Sequence, residues 1–177
     1  MITENKTLDF VVVGNGITAD LISRILLLSK KKFCQIGDES FSSKEDFVRS
    51  IALSPSTLRM LDYLNIKFPY QDIEQMNVTE GGLGGEKVKG NLIFDKKNNN
   101  DQFLAHVAKY SDIKAAIKKE LNPKIKKIQG KSLRHIKIKT KYINLILENE
   151  ENIITNNLIF NKKLEKEILN QSNLKYD

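Results

Sequence analysis

The chain has 177 residues, of which 40% are hydrophobic and 29% charged, and its net charge is +7. That length and apolar content suit one domain with a real core and exclude a wholly disordered chain. One cysteine, Cys34, excludes an internal disulfide and fits a reducing, cytoplasmic setting, and with only two histidines beside it no metal site is expected.

Leu8 to Val13 is a short apolar run rich in β-branched residues, stopped at Gly14-Asn15-Gly16. It reads as a buried strand ended by a turn. From Ile17 the pattern turns helical, with Leu21, Ile22, Ile25, Leu26 and Leu28 forming the expected apolar face, and Ser29 to Lys32 closes the helix. Phe33 to Ile36 is a second strand, ended by Gly37-Asp38, with Cys34 inside it as a core residue. Strand, glycine turn, helix and strand over residues 1–40 make a βαβ unit, which crosses over right-handedly into a parallel sheet. No apolar run nears the ~18 residues of a membrane span, and no basic-then-apolar leader is seen.

Phe47 to Leu64 reads as helical or turn-like, with Ser54 as N-cap and Pro55 at the first helical position. Asp72 to Thr79 reads as one strand, the Gly81–Gly85 segment as a loop and Gly90 to Phe94 as the returning strand. That loop lacks the Lys-Ser/Thr ending of a triphosphate site. Ser111-Asp112 can cap a helix running to Leu121, stopped by Pro123. Residues 122–160 form a basic β segment with strands near Ile125–Ile128, Leu133–Lys139, Tyr142–Leu147 and Ile153–Phe160; Leu164 to Leu169 reads as a short helix. Residues 122–177 hold twelve Lys/Arg against six Asp/Glu, so most of the net charge sits there. Only four arginines occur in the chain, so the basic segment reads as a solvated face before a specific nucleic-acid site. His106 is expected to border the sheet and His135 to sit among lysines; neither is given a catalytic role.

Gly14-Asn15-Gly16-Ile17-Thr18-Ala19 fits GxGxxA, the dinucleotide fingerprint, in its proper place between strand and helix. The first glycine allows the tight turn, the second lets the backbone approach a pyrophosphate, and Ala19 is small enough for helix and strand to pack. The partner feature is an acidic residue about 20 residues on that bonds the ribose. Its usual place falls at Gly37, with Asp38 one residue later, so Asp38 is read as a ribose ligand or as an exposed turn residue.

Asp9 to Gly16, followed by Arg49-Ser50-Ile51-Ala52-Leu53-Ser54-Pro55 and the paired leucines Leu58 and Leu61, resembles the flavin-dependent aromatic-ring hydroxylases. The branch most similar hydroxylates ubiquinone precursors, and the resemblance covers only the first ~40% of a typical member. It implies an α/β fold: a Rossmann-like FAD-binding βαβ unit with a parallel sheet and an added antiparallel segment, truncated relative to the family, in one incomplete domain over 1–177. It implies FAD as prosthetic group, NAD(P)H as electron donor, O2 as co-substrate and an aromatic quinone precursor as substrate. Gly14, Asn15, Gly16, Ile17, Thr18 and Ala19 would hold the pyrophosphate, Asp38 the ribose, and Arg49 would face the flavin. Arg49 can instead pair with Glu45 or Asp46 at the surface. The chain departs from the family at Lys109-Tyr110, where an acidic–Asn pair is usual. It departs again at Phe160-Asn161-Lys162-Lys163, where a Gly-Ala-Asp-Gly type motif is usual. The resemblance therefore implies a chain inactive alone, completed by a partner chain or self-association, at most peripheral to the inner membrane. Two further readings stand beside it: a non-catalytic nucleotide-binding or interaction module, and a basic nucleic-acid or membrane-surface binder using residues 124–141.

Overall fold

The computed structural model describes residues 7–37, 49–79, 90–98, 103–121, 125–129 and 133–160. Asp38, Glu45 and Asp46, the Gly81–Gly85 segment, Asn161–Lys163 and the Leu164–Leu169 segment lie outside the described residues. The chain divides into two compact units, Met1–Ser43 with Ile117–Asp177, and Lys44–Ala116.

The first unit holds a six-stranded sheet. Its strands are β1 (Leu8–Val13), β2 (Phe33–Gly37), β8 (Lys126–Gln129), β9 (Leu133–Ile138), β10 (Ile143–Leu147) and β11 (Asn152–Ile159), in the order β8-β2-β1-β11-β10-β9. β8, β2, β1 and β11 run parallel to their neighbours, and β9, β10 and β11 are joined antiparallel. From residue 10 on, β1 is apolar because both its faces are covered. Val12 packs with Ala19 and Leu26 of the helix α1 (Ile17–Leu28), while Val11 joins Cys34, Ile36, Ile128, Leu145 and Ile153. β11 serves two neighbours in turn, pairing with β10 up to Thr155 and with β1 from Thr155 on. The buried Thr155 hydroxyl stands at that change of partner, 3.2 Å from the Leu8 carbonyl and 2.9 Å from that of Asn157.

The second unit holds β3 (Ser50–Leu53), α2 (Pro55–Tyr63), β4 (Gln71–Ile73), β5 (Gln75–Thr79), β6 (Asn91–Asp95) and β7 (Ala105–Lys109), with a short 3-10 helix over Lys96–Asn98. β3-β7-β4 form a three-stranded antiparallel sheet, and β5-β6 a separate two-stranded one. Ser54 caps α2, its Oγ accepting from the Thr57 N–H at 3.2 Å. α3 (Tyr110–Leu121) starts in this unit and ends in the first, with Ile113, Ile117 and Leu121 buried at four-residue spacing.

Several expectations are corrected. Residues 47–64 are not all helical or turn-like, since Ser50–Leu53 is a strand held by β7. Asp72 to Thr79 is two strands broken at Glu74, each belonging to a different sheet. The apolar face of α1 is only partly buried: Leu26 is covered, but Ile25 and Leu28 are exposed, and the polar Asp20, Ser23 and Arg24 are buried in their place. The reason is that this side of α1 meets polar partners on β2 and at the end of α3.

Candidate functional site

The turn between β1 and α1 is held from both sides. Gly14 lies at φ 144°, a conformation only glycine takes readily, and its N–H donates to the Ile36 carbonyl at 2.8 Å. A Cβ there would stand 3.2 Å from that of Ala19, which explains why the sixth position of the fingerprint is small. Gly37 is closer still: a Cβ added to it would lie 2.9 Å from the Asn15 Cβ and 3.0 Å from the Gly14 carbonyl oxygen. A side chain at Gly37 would therefore crowd the β1–α1 turn.

Gly16 is the opposite case. It is the N-cap of α1, in extended conformation, with no side-chain cap bond, and a Cβ added there would meet nothing within 4 Å. An open space therefore borders the start of a twelve-residue helix whose first N–H groups lack a capping side chain. This geometry fits the pyrophosphate of a dinucleotide.

Beneath the turn lies a buried polar cluster that the sequence reading missed. Gln35 on β2 donates from Nε2 to the Gly14 carbonyl at 2.9 Å and to Asp20 Oδ1 at 2.8 Å. Its Oε1 accepts from Ser23 Oγ at 3.1 Å. Asp20, Ser23 and Gln35 are all buried. Arg24, also buried, pairs with Glu120 of α3 at 2.9 Å. The signal was present in the sequence: Gln35 interrupts an apolar strand, and Asp20, Ser23 and Arg24 recur at helical spacing.

Arg49 belongs to the second unit and is exposed. Its carbonyl accepts from the Tyr110 N–H at 2.8 Å, and its guanidinium stands 5.6 Å from the centre of the Tyr110 ring, as does the Lys114 ammonium. Tyr110 thus serves as a platform for two cations. His106 does not border its sheet. It is buried within β7, with Nδ1 2.6 Å from Asp72 Oδ1 and the Tyr70 and Phe103 rings edge-on at 5.1 and 5.8 Å. His135 lines a shallow cleft of about 530 Å³ with Arg134, Lys137, Ile146, Glu150 and Asn152. Among the described residues no group of three or more His, Cys, Asp or Glu is placed to hold a metal ion. Among those residues, too, no helix is long and apolar enough to cross a membrane.

No protein-family model matches the sequence, and no curated protein matches it. Solved structures do match the fold. p-Nitrophenol 4-monooxygenase PnpA from Pseudomonas putida DLL-E4 superposes with a TM-score of 0.68 at 15% identity, over 87% of this chain and 40% of that one. The fold is that of the flavin monooxygenases. 2,6-Dihydroxypyridine-3-hydroxylase from Arthrobacter nicotinovorans gives 0.63 at 13% identity over 88% of this chain and 37% of that one. A flavoprotein/dehydrogenase from Cytophaga hutchinsonii gives 0.65 at 14% over 97% and 43%. The chain thus spans about two fifths of the length of these flavin-monooxygenase-fold neighbours.

Proposed function

We propose that this chain is the FAD-binding portion of a flavin-dependent monooxygenase, with Gly14–Ala19 taking the pyrophosphate of the cofactor's ADP half. The observation that carries this reading is the open space at Gly16 before an uncapped helix start, in a chain with the flavin monooxygenase fold. Gly14 and Ala19 set the turn, and the backbone N–H groups from Asn15 to Ala19 supply the donors. Asp38 would bond the adenosine ribose, and Arg49 would complement the negative charge of the flavin. Bound FAD would supply the redox chemistry by which NAD(P)H and O2 hydroxylate an electron-rich ring. A ubiquinone precursor is the proposed substrate, on the resemblance carried by Arg49 to Leu61. Hydroxylation by an assembly with a partner chain or a second copy is part of the same proposal. A lipid-tailed substrate would bring that assembly to an anionic membrane surface, where the exposed Arg134, Lys137, Lys139 and Lys141 suit the headgroups. Tyr110, with its two cations in place of the usual acidic–Asn pair, favours a second reading, a nucleotide-binding module without hydroxylase activity.

The deciding experiment is an FAD titration of the purified chain, followed by flavin absorbance and fluorescence. Saturable binding that weakens when Gly16 is replaced by Val supports the site. A folded chain that binds no FAD overturns both nucleotide readings.

A further inference from the structure

Resting on the membrane contact proposed above and narrowing it to one element, we infer that the tip of the β9–β10 hairpin is the surface that docks on an anionic lipid bilayer, with Ile138 and Tyr142 entering the headgroup layer among three lysines. Residues 137–142, Lys-Ile-Lys-Thr-Lys-Tyr, are all exposed. The Lys139 N–H donates to the Tyr142 carbonyl at 2.9 Å and closes the turn. Ile136 and Ile138 share one face of β9, the face that Ile143 and Leu145 continue on β10. Ile136 is enclosed by the core at 4% exposure, but Ile138 is 41% exposed, as is Tyr142. The apolar row thus runs out past its cover and ends beside a tyrosine. Lys137, Lys139 and Lys141 stand along the same tip, and among the described residues none of them has an ion pair. Between Leu133 and Ile159 the acids are Glu148, Glu150 and Glu151. They occupy the β10–β11 turn, at the far end of the five-residue β10, about 17 Å away by strand rise. That is about two Debye lengths at physiological salt, so they do not cancel the charge of the tip. Arg134 lies at that far end too, 3.9 Å from Glu150. Exposed apolar groups set among lysines suit a bilayer. Lysine stems lie along apolar surface while their ammonium groups reach the phosphates, and tyrosine settles at headgroup level. A nucleic acid would reward arginine, and the tip has none. The core of a protein interface is depleted of lysine.

The test uses the full chain carrying Tyr142→Trp, which gives a protein without tryptophan its only one, at the tip. Thr140→Trp serves if that variant does not fold. Vesicles of equal parts phosphatidylcholine and phosphatidylserine are compared with phosphatidylcholine alone. The mixed vesicles should blue-shift the tryptophan emission, brominated lipid should quench it, and both effects should fade as KCl is raised. Phosphatidylcholine alone should bind at least about tenfold more weakly. Lys→Gln at 137, 139 and 141 should each weaken binding about fivefold, and all three together about a hundredfold. Lys→Gln at 30, 31 and 32, three exposed lysines elsewhere, should weaken it about twofold at most. Ile138→Ser should weaken it about threefold with the salt dependence kept. Equal losses from the two lysine sets, or vesicle binding that leaves the emission unmoved, would overturn the inference and leave a membrane contact elsewhere standing. Tighter binding of duplex DNA than of vesicles at the tip overturns it in favour of a nucleic acid. An emission shift with protein concentration alone overturns it in favour of a second copy. A chain that takes up FAD and ignores both vesicles overturns the inference and the membrane contact, and leaves the nucleotide site standing. Vesicle binding at the tip by a chain that takes up no FAD does the reverse.

Discussion

The same kinds of apolar strand have opposite fates in the two units. In the first, Val11, Val12, Ile36, Leu145 and Leu147 are buried by strands on either side and by neighbours on the faces. In the second, among the described residues, β5 and β6 pair only with each other. They put Met76, Val78, Leu92 and Phe94 on one face, with Met76 opposite Phe94 and Val78 opposite Leu92, and these side chains are 40–57% exposed. A two-stranded ribbon has no third strand or helix to cover it and is marginal in water by itself. Burial thus follows from the number of partners a strand finds, and not from its composition. The contrast is largest where a leucine is cut back in each unit. Leu145→Ala should cost about 2–5 kcal/mol in urea unfolding, because a cavity replaces a fully enclosed side chain. Leu92→Ala, at an exposed ribbon position, should stay within about 0.5 kcal/mol. Equal costs would mean that the ribbon is covered in solution.

The second difference concerns tightness. Around the β1–α1 turn the backbone approaches so closely that glycine is needed, whereas the ribbon's large apolar side chains stand exposed. Gly37→Ala adds one methyl group 2.9 Å from the Asn15 Cβ. The backbone of Gly37 lies outside the left-handed region, so the cost is one of crowding alone. It should be about 1–3 kcal/mol by thermal or urea unfolding, with weaker FAD binding as the turn is pushed aside. Unchanged affinity at reduced stability would separate the turn from the ligand site.

What could be read from the sequence follows the same division. β1, the turn, α1 and β2 were legible because each carries a strong local signal: a β-branched run, a GxGxxA turn, a helical period and a second apolar run. The polar side of α1 was not, because its partners, Gln35 and Glu120, are distant in sequence. Ile25 and Leu28 fit the helical period yet stay exposed, since periodicity shows which residues share a face but not which face finds a neighbour. β3 was hidden because four residues between an arginine and a Ser-Pro helix start are too few to show a period of two. The break at Glu74 was hidden because both sides stay extended, and only pairing assigns β4 to β7 and β5 to β6. His106 looked isolated because Asp72 lies 34 residues away, on the neighbouring strand.

The smallest expected effects test the two helix starts against each other. α2 begins with a serine whose side chain satisfies a backbone N–H; α1 begins with a glycine that satisfies none. If both starts serve only to stabilise their helices, each should lose or gain by the ordinary capping rules alone. Ser54→Ala should then cost about 1 kcal/mol, with no effect on nucleotide binding. Gly16→Ser should add a cap, since serine accepts the extended backbone and the space for its side chain is open. The expected gain is a few tenths of a kcal/mol, because glycine is itself a tolerable N-cap. The new hydroxyl would occupy the space, and take up the N–H groups, assigned to the pyrophosphate. A chain slightly more stable but weaker in FAD binding is the mark of a helix start left uncapped for a ligand. Greater stability with FAD affinity unchanged would mean that the phosphates bind elsewhere.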